Sequence, residues 1–267
     1  MGESVNLLNT IQSVTPTICS LFGIQPPSTC AVEPSIEVLN ELRRNQNVNL
    51  VERALIYAPD AIGSFFLKKH HAIYESFRQV GRLEIPLRSM TPPKTPVCFA
   101  SMFSGAPPEI HGIRRYERPV LAINTLFDSL VKAGKRVALV AVKDCSIDII
   151  FRNRPLDFFS EPYDPEVTAR TLELLRLDEH DFILAYHQEY DDLLHRTTPY
   201  SPEAIAAAKR HADSLEILVK AAEKAWQGKR WVAAATPDHG GHIRPDGRGD
   251  HCDDIPEDME VTHFWRL

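Results

Sequence analysis

Four short, unbroken apolar runs, each separated from the next by enough chain for one or more helices, constrain this sequence more than any other feature. They are RALIYA at 53–58, RVALVAV at 136–142, FILAY at 182–186 and RWVAAA at 230–235. A strand wetted on one face alternates apolar and polar residues, so a continuous apolar run needs cover on both faces. Between the last two runs a helix is predicted after Ser201-Pro202, where Ala208, Ala212, Leu215, Val219, Ala222 and Trp226 recur every three or four residues. Residues 61–80 and 120–133 carry further helical patterns, the second stopped by Gly134. Such strands alternating with helices predict an α/β fold: a mostly parallel central sheet with helices on both faces, in one domain over residues 1–267.

In sheets of this kind ligands bind beyond the carboxyl ends of the strands. The first run is followed by Pro59-Asp60, the third by HQEYDDLLH and the fourth by TPDHGGH. Carboxylates therefore arrive at one sheet edge from three strands, accompanied by histidines from two of them. Asp191 and His195 are four apart, so one helical turn puts both on one side. Asp238 and His239 are adjacent directly after a strand, and His251 lies in the Gly- and Asp-rich loop GGHIRPDGRGDHCDD, with His242 as its rival. Asp and His are the usual ligands of Zn²⁺ or Mn²⁺. Taken singly, an Asp-His pair after a strand reads as a cap beside a surface histidine; the convergence of several pairs points to a metal site.

The segment PPKTPVCFASMFSGAPPEIHGI at 92–113 carries a family likeness. It resembles the nucleophile region of the nucleotide pyrophosphatase/phosphodiesterase branch of the alkaline phosphatase superfamily, where a K-T-x-P-N stretch is followed by an ending of the form TG-x-x-P-x-x-HGI. Thr95 stands sixteen residues before His111, and Asp60, Thr95, Asp191 with His195, Asp238 with His239, and His251 follow the superfamily order over about 53–251. The resemblance implies an alkaline phosphatase-like fold and two metal sites around one phosphate. Asp191, His195 and His251 would hold one metal; Asp60, Asp238, His239 and the Thr95 oxygen would hold the other. That ligand set suits Zn²⁺ first and Mn²⁺ next. It also implies hydrolysis of a small phosphodiester or phosphomonoester by Thr95 attack, through a phospho-threonine intermediate.

The sequence departs from the family pattern in places. Cys98 stands for the Asn after the nucleophile, Ser104-Gly105 for TG, and Arg114-Arg115-Tyr116 where the family often carries a phosphate-binding Asn. His251 is followed by Cys252 rather than Gly. A phosphonate hydrolase or a metal-dependent phosphomutase shares this architecture, but the mutase needs a second domain for which little chain is left. A sulfatase would need C-x-P-x-R or S-x-P-x-R, and Cys98 begins C-F-A-S-M instead. A catalytically inactive metal-binding relative is the non-enzyme alternative, although every expected ligand position holds a competent residue. Lys68-Lys69-His70-His71 reads as a solvated helix face, His187 as a hydrogen-bonded histidine, and His111 as a brace for the nucleophile loop.

The formal charge of −6 argues against a nucleic-acid groove, which needs clustered Lys and Arg. Five cysteines without a C-x-x-C pair, an opening MGESVNLLNTIQSV without a basic-then-apolar leader, and no long apolar run predict reduced thiols, a cytoplasmic setting and no membrane span. Finally, VTPTICSLFGIQP at 14–26 resembles the helix that superfamily members carry near the carboxyl end, while the chain here closes on MEVTHFWRL at 259–267. A circular permutation is the corresponding expectation, with the 15–22 helix beside that closing segment and the His251 loop.

Overall fold

The computed structural model describes residues 9–46 and 50–267; the opening 1–8, on which part of the leader reading rests, lie outside the described residues. In chain order a 3₁₀ turn (Ile11–Ser13) leads into α1 (Val14–Phe22), followed by α2 (Ile36–Gln46), β1 (Arg53–Pro59), α3 (Ser64–Lys69), α4 (His71–Val80) and β2 (Leu83–Arg88). Next come α5 (Thr95–Ser104), α6 (Pro108–His111), α7 (Leu126–Lys132), β3 (Val137–Val142), α8 (Ser146–Ile150), β4 (Asp157–Glu161) and α9 (Asp164–Leu177). The rest is β5 (Phe182–His187), α10 (Glu189–Arg196), α11 (Pro202–Ala225), β6 (Trp231–Ala235), the short hairpin β7 (His242–Ile243) and β8 (Gly249–Asp250), α12 (Pro256–Met259) and β9 (Glu260–Arg266).

Seven strands form one sheet in the order β2-β9-β6-β1-β5-β3-β4. The four apolar runs are its parallel centre, with β1 between β5 and β6, and β3 beside β5. Every residue of β3 and β5 is buried. The register explains why alternation is missing. Ala58 pairs with Tyr186, whose ring meets Phe99 of α5 edge-on, while Tyr57 and His187 turn to the opposite face, where the Tyr57 hydroxyl bonds both His187 and His211 of α11. One helical layer, α4, α9 and α11, thus covers one face, and α1, α5, α7 and α8 cover the other.

The sheet is larger than the apolar runs indicate. β2 and β4 are half-buried edge strands without a continuous run, and β9, formed by the closing segment, lies antiparallel to both its neighbours. The predicted helix over 61–80 starts only at Ser64 and is divided in two at His70, whose ψ of 67° is not helical. The 120–133 helix is shorter as well, opening at a capping box in which Thr125 and Asp128 exchange hydrogen bonds. Helix α1 ends as expected, Gly23 taking a left-handed φ of 68°. Its packing differs from the permutation expectation. Thr10 bridges Arg88 of β2, the neighbour of β9, but the helix itself rests on α5, α7 and α2. All five cysteines are free thiols, and among the described residues no helix is long and apolar enough to cross a membrane.

Candidate metal centre

Asp60 follows β1 directly, and Ala61 behind it takes a left-handed φ of 62°, turning the chain back so that its N–H donates to Asp238 Oδ1 at 3.3 Å. Asp238 and His239 leave the end of β6, the adjacent parallel strand. On the other side of β1, β5 runs into α10, whose first turn holds Asp191 and whose last turn holds His195. Thr95 opens α5 ahead of Pro96, whose missing N–H is not needed in the first helical turn. His251 directly follows β8, delivered by the β7–β8 hairpin.

All seven residues singled out in the sequence meet in one cluster. His239 Nε2 lies 3.3 Å from Asp60 Oδ1, 3.3 Å from Asp238 Oδ2 and 3.4 Å from Thr95 Oγ1. Asp191 Oδ1 lies 3.3 Å from His251 Nε2 and 3.5 Å from His195 Nε2, and these two nitrogens are 2.8 Å apart. The rings of His239 and His251 stack at 3.8 Å, which joins the two groups. Asp60, Asp238 and His239 form one set of converging donor atoms; Asp191 and His251 form another, into which His239 also reaches.

The chemistry of these donors fits divalent cations. Asp60 Oδ1, Asp191 Oδ1 and Asp238 Oδ2 are buried without any hydrogen-bond partner, an arrangement that costs free energy unless a cation neutralises it. Burial, with the charges of Asp238 and Asp191, drives the Asp60 carboxyl well above its usual range, and burial lifts Asp238 to about 7. Asp191 goes the other way: burial alone would raise it, but His251 beside it holds it below the ordinary carboxylate range. His239 Nδ1–H donates to the Gly240 carbonyl at 2.9 Å and His251 Nδ1–H to the Pro93 carbonyl at 2.6 Å. Each tautomer thereby leaves Nε2 with its lone pair toward the cluster, as a ligating histidine requires.

Several supporting residues were not legible in the sequence. Asp258 is fully buried, accepts from the Cys252 and Asp253 N–H groups at 3.0 Å each, and holds His242 Nδ1 at 2.8 Å. His242 therefore braces the His251 loop instead of joining the cluster. Tyr186 donates its hydroxyl to Asp60 Oδ2. Lys94, one residue before Thr95, faces Asp250 at 3.7 Å and lines the cleft above the cluster. His111 donates Nε2–H to Ser101 Oγ at 2.8 Å and accepts the Ile113 N–H, tying α5 to the loop behind it. Cys98 turns to Ser89, whose hydroxyl bonds the Asp238 carbonyl at 2.6 Å, and burial pushes its thiol far up. Arg115 is exposed and paired with Glu117, and Arg114 bonds the Glu109 carbonyl. The residues of that loop that do line the cleft, about 440 Å³ in volume, are Tyr116 and Arg118, opposite Lys143 from the end of β3.

The sequence profile of the family described as type I phosphodiesterase / nucleotide pyrophosphatase matches residues 75–263. No curated protein sequence matches. Among solved structures, an inactive form of murine ectonucleotide pyrophosphatase / phosphodiesterase 5 in complex with AMP is 16% identical with a TM-score of 0.58, over 72% of this chain and 58% of that one. The human counterpart is also 16% identical, with a TM-score of 0.56 over the same shares. Phosphonoacetate hydrolase from Sinorhizobium meliloti 1021 in complex with phosphonoacetate is 18% identical with a TM-score of 0.54, over 73% of this chain and 59% of that one. At these identities the likeness shows the α/β fold. The chain spans a little under three fifths of the length of these structures.

Proposed function

Since the chain belongs to the type I phosphodiesterase / nucleotide pyrophosphatase family, we propose that it hydrolyses a small phosphate ester or phosphonate at the cluster around Thr95. The observation that carries this reading is one juxtaposition. The Thr95 hydroxyl, at the amino end of α5, lies 3.4 Å from His239 Nε2, which itself faces two buried carboxylate oxygens lacking partners. In this reading Asp191, His195 and His251 hold one divalent metal, and Asp60, Asp238, His239 and Thr95 Oγ1 hold a second, with Zn²⁺ ahead of Mn²⁺ on donor chemistry. Bound there, such metals supply charge stabilisation for the attacking and leaving oxygens of an in-line displacement.

The chain's own groups account for the rest. The amino terminus of α5 presents the positive end of its dipole to the phosphoryl oxygens. Thr95 Oγ loses its proton to water and attacks phosphorus. The bond to the leaving group breaks, that group takes the electron pair, and a phospho-threonine remains. Water then cleaves the Thr95–phosphorus bond, returning the hydroxyl and releasing phosphate, or the monoester or phosphonate when a substituent stays on phosphorus. Lys94, Arg118 and Lys143 surround the entrance, and among the described residues Lys143 meets no carboxylate within ion-pair distance. This rim favours a substrate carrying an anionic group on its leaving side. A phosphonate with a carboxylate is the second reading it supports, in keeping with the phosphonoacetate bound by one structural neighbour.

Thr95→Ala tests the proposal. Hydrolysis of p-nitrophenyl phosphate, bis-p-nitrophenyl phosphate and phenylphosphonate esters should fall about a thousandfold, ~4 kcal/mol of barrier, while the metal content measured by mass spectrometry stays near that of the parent. Near-normal turnover by the variant would take the nucleophile assignment off Thr95.

A further inference from the structure

A second group of titratable side chains lies on the opposite face of the sheet, under α9 and α11. Tyr57 of β1, His187 at the end of β5 and His211 of α11 are all buried there, beside Asp164. The Tyr57 hydroxyl is 2.9 Å from His187 Nδ1 and 3.0 Å from His211 Nδ1. His211 Nε2 is 3.2 Å from the Tyr190 N–H, His187 Nε2 is 3.1 Å from Thr168 Oγ1, and Thr168 Oγ1 is 3.4 Å from Ser214 Oγ.

One contact sets the direction of all the others. A backbone N–H can only donate, so His211 Nε2 accepts from Tyr190 and its proton must sit on Nδ1. That proton goes to the Tyr57 oxygen, and the Tyr57 hydroxyl proton is left for His187 Nδ1. His187 must then carry its own proton on Nε2 and donate it to Thr168, which donates to Ser214. Burial pushes His187 well below its ordinary range and His211 down to about 3, so both rings are neutral near pH 7. A metal ion is poorly served here. His187 Nδ1 and His211 Nε2, the ring nitrogens nearest the carboxylate, are both engaged, and the Asp164 oxygens accept the Gln188 and Glu189 N–H groups at 3.0 Å each.

What this chain of hydrogen bonds connects is specific. Tyr57 is three residues before Asp60 on the same strand. The Asp60 N–H donates to the His187 carbonyl at 2.9 Å, and Tyr190 immediately precedes Asp191. We infer that Tyr57, His187 and His211 form a directional positioning network that sets the Asp60 end of β1 against the Asp191 turn of α10, and so fixes the spacing between the two halves of the metal centre. Tyr57, His187 and His211 are positioning residues, their side chains acting from behind the sheet without reaching the ligand side chains. The consequence for metal binding rests on the function proposed above; the proton order does not.

Two measurements test it. In the whole wild-type protein, long-range ¹H–¹⁵N correlation of the imidazoles should show His211 protonated on Nδ1 and His187 on Nε2. A proton on His211 Nε2 would overturn the network. Divalent metal affinity, titrated with Mn²⁺ and Zn²⁺, should then fall about 10- to 100-fold in Tyr57→Phe, the usual effect of losing support behind a ligand. Thr168→Val supplies the structural control: it also strips one buried N–H of its acceptor, that of His187, but it cuts the outer link that joins no ligand-bearing element. Its metal affinity should stay within about twofold of wild type on that same scale. Equal losses in the two variants, or wild-type affinity in Tyr57→Phe, would reduce the network to ordinary core bonding. Wild-type protein that takes up neither metal would instead sink the proposed function, and the two tautomers alone would then decide the network's order.

Discussion

His239 shows at the residue scale how a side chain is oriented by contacts its sequence only hints at. Its adjacency to Asp238 after an apolar strand was legible, because a strand end is a local pattern. Its tautomer was not, since that depends on the Gly240 carbonyl 2.9 Å from Nδ1. Asp258 was invisible for a related reason: an acidic residue in a loop of several acids carries no mark of being the fully buried one. His263 is a third residue of this kind, buried in β9 with Nε2–H donated to the Pro237 carbonyl at 2.9 Å and Nδ1 without a partner. Burial lowers its pKa from 6.5 to about 4. The unfolded chain therefore binds a proton here that the native protein refuses, and the stability this ring allows is complete above pH 6.5 and is lost as pH falls toward 4. The slope approaches about 1.4 kcal/mol per pH unit. Urea unfolding of wild type and His263→Gln at pH 7 and pH 5 should show the variant gaining on the parent as acid is added; a constant difference between them would contradict the assignment.

Among the elements, the approach of the β6 loop to α12 is the tightest constraint near the site. A side-chain carbon on Gly240 would lie 2.0 Å from the Glu257 carbonyl oxygen and 3.1 Å from Gly63 Cα, so the backbones of three segments meet where only hydrogen fits. Gly240 N–H also donates to the Asp258 carbonyl at 2.8 Å. Gly240→Ala should consequently push α12 away, cost about 1–3 kcal/mol as other overpacking changes do, and loosen the loop that presents His239 and His251. Reduced metal content at a temperature where the variant is still folded is the expected result, and full metal content would show that the loop tolerates the shift. The division of the 61–80 helix at His70 belongs to this scale too. Its residues have helical periodicity throughout, yet His70 packs on Phe66 at 4.5 Å between ring centroids and leaves helical geometry there. Periodicity reports which side is apolar, and a bend of the axis does not erase it.

For the whole molecule, the proposed metal sites would link metal binding to folding through the buried carboxylates. Ions that bind the native cluster and not the unfolded chain add RT ln(1 + [L]/Kd), about 2.7 kcal/mol per site at a hundredfold excess over Kd, which corresponds to several degrees in Tm for a chain of this size. Thermal unfolding should move up with added Zn²⁺ or Mn²⁺ and down after chelation; an unchanged Tm would argue against metals at Asp60, Asp191 and Asp238. By itself the sequence determined the parallel centre of the sheet, since β1, β3, β5 and β6 each declare burial on both faces within five to seven residues. It likewise determined the order of Asp60, Thr95, Asp191, His195, Asp238, His239 and His251, because strand ends and helix turns are local. Only the tertiary structure decided that β6 and β5 flank β1, that β9 enters against the grain beside β6, and that Tyr57 and two histidines lock β1 to α10 from behind. Those outcomes depend on contacts between residues distant in the sequence, about thirty positions apart for β6 with β9 and more than a hundred for the others. Hydrophobic periodicity records which face of an element is buried, whereas the partner on that face is chosen by shape and hydrogen bonding once the chain has closed on itself.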